Sequence, residues 1–96
     1  MSVSVMEARP SRRSGLWLRQ AGKENAVIDS DSGSVHLLNE TALAIWQLCD
    51  GETWPREMVR AICDVSGLPE EVVGEDIART LHEFDHLGLL VWMIDP

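Results

Sequence analysis

Residues 34–51 read SVHLLNETALAIWQLCDG, and this stretch decides the fold. Ser34–Leu37 follows a run of turn-forming residues and predicts a short strand. Asn39 is a favoured N-cap residue, and the apolar residues after it recur at helical spacing: Ala42, Ile45, Trp46 and Cys49. Gly51 suits the left-handed backbone that ends a helix. The stretch therefore predicts a strand followed by a first helix from Glu40 to Cys49.

Two more helices follow, each bounded by proline or glycine. Pro55 is a natural first residue for helix two, which is predicted to end at Gly67. Helix three is predicted from about Pro69 to Leu87, with an apolar face made of Val73, Ile77, Leu81, Phe84 and Leu87. Gly88 ends this helix, and residues 89–94 predict a final strand.

The strands upstream complete an α+β fold. Leu16–Arg19 and Ala26–Asp29 predict two strands, and the second forms a hairpin with Ser34–Leu37. The predicted architecture is a winged helix-turn-helix with three N-terminal strands, three helices and a short C-terminal strand. Residues 15–96 are expected to form this domain, and residues 1–14, which lack periodicity, a flexible basic arm.

Charge is distributed unevenly along the 96 residues, whose formal net charge is −8. Residues 1–25 hold five basic and two acidic side chains, whereas residues 26–96 hold three basic and fourteen acidic ones. Helix three alone carries six acidic residues against Arg79. A recognition helix with this charge would face phosphates with nothing to neutralise them. A DNA-binding winged-helix regulator is therefore the disfavoured alternative, and no nucleic-acid partner is expected.

The segment His82–His86 reads HEFDH and matches the zinc-protease pattern H-E-x-x-H. Two imidazoles four residues apart share a helix face, but a catalytic zinc needs a third protein ligand. The extended pattern requires Gly and His where this chain has Leu89 and Trp92. A solvent-exposed helix face is favoured over a metallohydrolase site, and no metal, cofactor or enzyme activity is expected.

Cysteine usage and the lack of targeting patterns favour a cytoplasmic protein. Cys49 and Cys63 are predicted to be buried free thiols, with a disulfide as the alternative. The longest apolar run, residues 89–94, is far shorter than the ~20 residues of a membrane span. Ser11–Arg13 is not followed by the apolar stretch of a twin-arginine export signal. No membrane contact is expected.

The remaining class is a non-catalytic binding module. The strand Ser34–Leu37 is short and is expected to lie at a sheet edge. Edge strands present unpaired N–H and C=O groups that a guest strand can complete. Helix three, beside this edge, would supply pockets for alternate side chains of the guest.

The segments Gly33–Ala42 and Ile45–Gly51 resemble the PqqD family, whose members share an LNxTAxxIWxLxDG motif. With weaker similarity in Val72–Leu81 and Gly88–Leu90, the resemblance extends over about residues 26–91. Members are precursor-peptide recognition elements that resemble winged helices without binding DNA. The resemblance implies that this chain binds the leader segment of a ribosomally synthesised precursor peptide as an added strand. It also implies that the chain presents this segment to a modifying enzyme or leader peptidase.

The resemblance places the guest between the third strand and helix three. The peptide-binding residues it implies are Ser34, Val35, His36, Leu37, Asp76, Ile77, Thr80, Leu81 and Phe84. The hairpin at residues 29–39, DSDSGSVHLLN, is most similar to stand-alone members of lasso-peptide pathways, which act with a separate leader peptidase. Relatives often have Ser or Thr as the cap of helix two; here Trp54 stands there, so Thr53 is expected to cap instead.

Overall fold

The computed structural model describes residues 7–94, which form five strands and three helices. In chain order these are β1 (Arg9–Arg12), β2 (Leu16–Ala21), β3 (Glu24–Asp29), β4 (Val35–Leu38), α1 (Glu40–Leu48), α2 (Pro55–Ser66), α3 (Glu70–His86) and β5 (Leu90–Met93). The predicted α+β class and the three helices are confirmed. The prediction of three N-terminal strands is wrong, because four strands precede α1.

Strands β2, β3 and β4 form an antiparallel sheet with β3 at its centre. On the inner face, the fully buried Val27 of β3 is paired with His36 of β4. On the outer face, Ile28 of β3 is flanked by Trp17 of β2 and Val35 of β4. Strand β4 is therefore at an edge of the sheet, as the sequence predicted.

Strand β1 pairs antiparallel with β5 in a separate two-stranded sheet. Pro10, opposite Trp92, is buried, and so is Ala8 just before the strand. The prediction of residues 1–14 as a flexible arm is therefore wrong for the part that forms β1. Residues 1–6 of that predicted arm lie outside the described residues.

The helices enclose one hydrophobic core. Helix α1 begins as predicted, because the Asn39 side-chain oxygen accepts a hydrogen bond from the Ala42 N–H at 2.8 Å. The Trp46 ring packs edge-on against the Phe84 ring of α3, with centroids 5.4 Å apart. Within residues 7–94, no helix combines the length and the apolar character that crossing a bilayer requires.

The loop between α1 and α2 is organised by Asp50. One Asp50 carboxylate oxygen accepts hydrogen bonds from the N–H groups of Glu52 and Thr53, and the other accepts one from the Thr53 hydroxyl at 3.0 Å. The N–H of Trp54 donates to the Glu57 carboxylate at 2.9 Å, within the first turn of α2. The expectation that Thr53 caps α2 is wrong, because Trp54 takes the N-cap position and the Thr53 hydroxyl donates to Asp50 instead.

Both cysteines are free thiols, as predicted, so the disulfide alternative is excluded; the predicted burial is confirmed for Cys49 only. Cys49 is buried, and its thiol donates to the Ile45 carbonyl at 3.2 Å. Burial raises the pKa of the Cys49 thiol to about 12, so this group is neutral near pH 7. Cys63 is only half-buried on α2.

Candidate functional site

The free edge of β4 presents main-chain groups to solvent. The Asp29 N–H donates to the Ser34 carbonyl at 2.9 Å, so the main chain of Ser34 faces β3. Hydrogen-bonded and non-hydrogen-bonded pairs alternate along an antiparallel ladder. Val35 and Leu37 fall on the non-hydrogen-bonded positions of this register, and their N–H and C=O groups therefore point away from β3. Two residues of β4 thus offer main-chain donors and acceptors to a guest strand.

The four site residues predicted at β4, Ser34 to Leu37, differ in which main-chain and side-chain groups are exposed. The side chains of Val35 and Leu37 are 57% and 70% exposed, beside their outward-facing main-chain groups. The Ser34 carbonyl is engaged by Asp29, and His36 takes the hydrogen-bonded position opposite Val27. Only Val35 and Leu37 are therefore placed to pair with a guest through the main chain.

On α3, Asp76 and Thr80 lie half-buried, one turn apart. A small cavity of about 50 Å³ brings Asp76 and Ile77 next to Thr41, in the first turn of α1. The other residues that line it are Ile62, Ser66, Leu68 and Val73. Asp76 also accepts a hydrogen bond from the Arg79 guanidinium at 2.7 Å. Thr41 is in the first turn of α1, which begins directly after β4 and Asn39, so this cavity is near the C-terminal end of β4.

Three of the site residues predicted on α3 belong to the core. Ile77, Leu81 and Phe84 are buried, and Phe84 packs against Trp46. Ile77 also lines the small cavity, but the expectation that Leu81 and Phe84 face a guest peptide is contradicted. Their helical spacing identifies an apolar stripe on α3, and this stripe is buried where α3 packs against the other helices.

The H-E-x-x-H segment lies at the C-terminal end of α3. His82 and His86 are both exposed there, and Asp85 accepts a hydrogen bond from the Trp92 indole at 2.7 Å. Among residues 7–94, no group of three or more His, Cys, Asp and Glu side chains is placed to hold a metal ion. The two histidines thus lie on the solvent-exposed side of α3, whereas Phe84 between them is buried.

The sequence analysis missed a second exposed surface, which we call the outer sheet face: Trp17, Ile28, Val35 and Leu37. The Trp17 side chain is 66% exposed, in the same row as Ile28 and Val35. The sequence pattern that identifies it is the alternation of β2, which puts Trp17 on the face opposite to Leu16. A contiguous exposed apolar surface of this kind is typical of an interaction site.

Comparisons with solved structures identify the same fold. The chain is similar to TbiB1 in complex with the TbiA(beta) leader peptide, at 21% identity and a TM-score of 0.76, over 88% of this chain and 99% of that one. It is similar to a lasso peptide synthetase B1 complexed with the leader peptide, at 22% identity and a TM-score of 0.75, over the same shares of 88% and 99%.

A third similar structure is the solution structure of the PqqD truncation of Methylobacterium extorquens PqqCD, a functional and stand-alone recognition element for ribosomally synthesised and post-translationally modified peptides. The identity is 16% and the TM-score 0.77, over 94% of this chain and 95% of that one. No curated protein matches the sequence.

The family comparison extends over most of the described fold. The model of the family described as Coenzyme PQQ synthesis protein D (PqqD) matches residues 24–90, from the first residue of β3 to the first residue of β5. This match includes the β4 edge, all three helices and the Asn39 cap that the sequence motif predicted. The chain therefore belongs to the PqqD family.

Proposed function

We propose that this chain is a non-catalytic recognition element that binds the leader segment of a ribosomally synthesised precursor peptide by strand addition. The free edge of β4 carries the proposal, because Val35 and Leu37 direct main-chain groups away from β3. Membership of the PqqD family supports it. The similarity to two structures that contain leader peptides supports it as well.

The guest strand would lie along β4 on the side of α3. Main-chain hydrogen bonds contribute only about 0.5–1.5 kcal/mol each and distinguish few sequences. We therefore assign selectivity to side chains of α3, namely the half-buried Asp76 and Thr80 and, at the small cavity, Ile77. Ser34 and His36 contribute through their side chains, because their main chains are directed to β3.

A recognition element acts by delivering its peptide, so we also propose a modifying enzyme or leader peptidase as a partner. The outer sheet face supports this proposal, because Trp17 and Leu37 expose large apolar side chains there. A peptide added beside β4 would extend the sheet that carries this face. The hairpin at residues 29–39 and the similarity to a lasso peptide synthetase favour a lasso-peptide pathway. The cysteine usage and the lack of targeting patterns favour a location in the cytoplasm.

The substitution Val35→Pro tests strand addition at β4. It removes an outward-facing N–H while leaving the hydrogen bonds between β3 and β4, because the Val35 N–H makes none of them. We expect the affinity for a synthetic leader peptide to fall tenfold or more, about 1.4 kcal/mol. Isothermal titration calorimetry measures this change. Mass spectrometry of the recovered leader checks that it is unmodified.

Two variants control for side-chain loss and for misfolding. Val35→Ala shortens the side chain but keeps the N–H, and we expect it to retain most of the affinity. His36→Pro removes an N–H on the hydrogen-bonded side, opposite Val27, and we expect it to destabilise the sheet itself. If Val35→Pro is folded by circular dichroism and binds the leader normally, strand addition at this edge is wrong.

A further inference from the structure

A second cleft lies at the edge of the sheet opposite to β4. It has a volume of about 620 Å³ and is lined by Arg12, Arg13, Leu16, Leu18, Trp46 and Gln47. These residues come from the end of β1, from the inner face of β2 and from the end of α1. None of the described residues that line it is acidic, although the chain has 16 acidic residues. The cleft is therefore a basic site on an acidic protein.

Arg13 donates a hydrogen bond from each of its three guanidinium nitrogens. Its Nε donates to the Gly88 carbonyl at 2.9 Å, and its Nη1 donates to the Ser14 carbonyl at 3.2 Å. Its Nη2 donates to the Asp29 carboxylate at 2.7 Å, which also neutralises its charge. Arg13 thus links the end of β3 to the loop after α3, and its role in the cleft is structural.

Arg12 is engaged through one nitrogen only. Its Nη1 donates to the carbonyls of Trp46 and Gln47 at 3.0 Å each, and this contact fixes the guanidinium against the end of α1. Among residues 7–94, no hydrogen bond involves its Nε or Nη2, and no carboxylate forms an ion pair with it. These two nitrogens form the side edge of a guanidinium, which matches both oxygens of a carboxylate.

The other walls of the cleft are mainly apolar. Leu16 and Leu18 line it from β2, and Trp46 lines it from α1. The Gln47 side chain is exposed beside them and carries an amide donor. A ligand that fits these walls has a carboxylate next to apolar groups, which is the chemistry of an acidic residue between apolar residues.

We propose that this cleft binds an Asp or Glu side chain, flanked by apolar residues, on a segment of the partner enzyme. Charge complementarity to Arg12 carries the proposal, together with the unoccupied side edge of its guanidinium. Strand β3 separates β2 from β4, so a guest strand and this segment can be bound at the same time. The identification of the partner as the enzyme rests on the proposed function. The contact between Arg12 and a carboxylate is independent of the proposed function.

Two short peptides test the carboxylate contact on the full chain. Acetyl-Leu-Glu-Leu-amide and acetyl-Leu-Gln-Leu-amide differ only in charge, and each is titrated into ¹⁵N-labelled protein. We expect the Glu peptide to shift the NMR signals of the Arg12 Nε–H and the Trp46 indole N–H, with about tenfold weaker binding of the Gln peptide, ~1.4 kcal/mol. Equal binding of the two peptides, or no shift at Arg12, would overturn the proposal.

Three substitutions locate the contact. Arg12→Gln removes the guanidinium edge, and Leu18→Glu places a competing carboxylate on the cleft wall; we expect each to weaken binding of the Glu peptide about tenfold, ~1.4 kcal/mol. Because Arg12 also holds the end of α1, Leu18→Glu keeps the test valid if Arg12→Gln fails to fold. Arg19→Gln removes the same charge from the outer side of β2 and is the matched control, with unchanged binding expected.

Leader titration separates this inference from the proposed function. We expect Leu18→Glu to bind the leader with unchanged affinity, because the cleft and the β4 edge are on opposite sides of β3. If Leu18→Glu loses the leader, the cleft belongs to the peptide site and the inference is wrong. If Arg19→Gln weakens the Glu peptide as much as Arg12→Gln does, the attraction is unspecific and the inference is equally wrong.

Discussion

At the scale of single residues, the Asp50 carboxylate makes stability depend on pH. Partial burial raises the pKa of Asp50, but hydrogen bonds from the N–H groups of Glu52 and Thr53 outweigh this and lower it overall. Because the pKa of Asp50 is lower in the folded state, its ionised carboxylate stabilises the fold at pH values above the ordinary carboxyl pKa of about 3.9. This stabilisation is lost as the pH falls through the folded-state pKa. We expect Asp50→Asn to lower the urea midpoint at pH 7 and to differ less from the wild type near pH 3. A difference that stays constant across this range would contradict the assignment.

At the scale of elements, the β1–β5 ribbon packs tightly against the loop after α1. The N–H of Gly51 donates to the Pro10 carbonyl at 2.8 Å, and a Cβ at Gly51, where φ is +81°, would lie 3.3 Å from Ser11. We expect Gly51→Ala to lose more free energy of unfolding than Gly22→Ala. At Gly22 φ is also positive, but no atom lies within 4 Å of the added Cβ. The left-handed backbone costs each variant about 1–2 kcal/mol. Urea unfolding measures the difference in free energy of unfolding between the two variants. Equal losses of this free energy would mean that the β1–β5 ribbon shifts to accommodate the methyl group.

At the scale of the whole molecule, the net charge of −8 predicts how peptide binding responds to salt. Exposed charges are screened at high ionic strength, whereas buried apolar anchors are not. We expect a rise from about 0.05 to 0.5 M salt to weaken leader binding only severalfold. Truncation of the apolar anchors of the leader to Ala should abolish binding. Calorimetry on a leader alanine series at two salt concentrations checks this. A collapse of affinity with salt, together with indifference to the anchors, would indicate a charge-driven contact on the acidic surface instead.

Local interactions explain why the helices were predictable from the sequence. The Asn39 cap is made between residues three positions apart, and Gly67 ends α2 with φ at +73°. Helix three, predicted from about Pro69 to Leu87, is found at Glu70–His86. The winged-helix assignment stays a prediction.

Strand β1 was not predictable in this way. Residues 9–12 have neither apolar alternation nor a turn that pairs them with a neighbour. They form a strand because they pair with β5, at the other end of the chain. The apolar run of β5 predicts a strand but does not show which distant segment pairs with it, so only the assembled fold reveals β1.

The sequence by itself determined the three helices, the edge strand and the family motif, because capping, periodicity and turn formers act over a few residues. The tertiary structure alone decided which groups face a partner. The register with β3 directs the main chain of Val35 outward and that of His36 inward. Packing buries Leu81 and Phe84, which share their helix with the half-buried Asp76. Periodicity defines a face of an element, but the neighbours packed against that face decide whether a ligand can reach it.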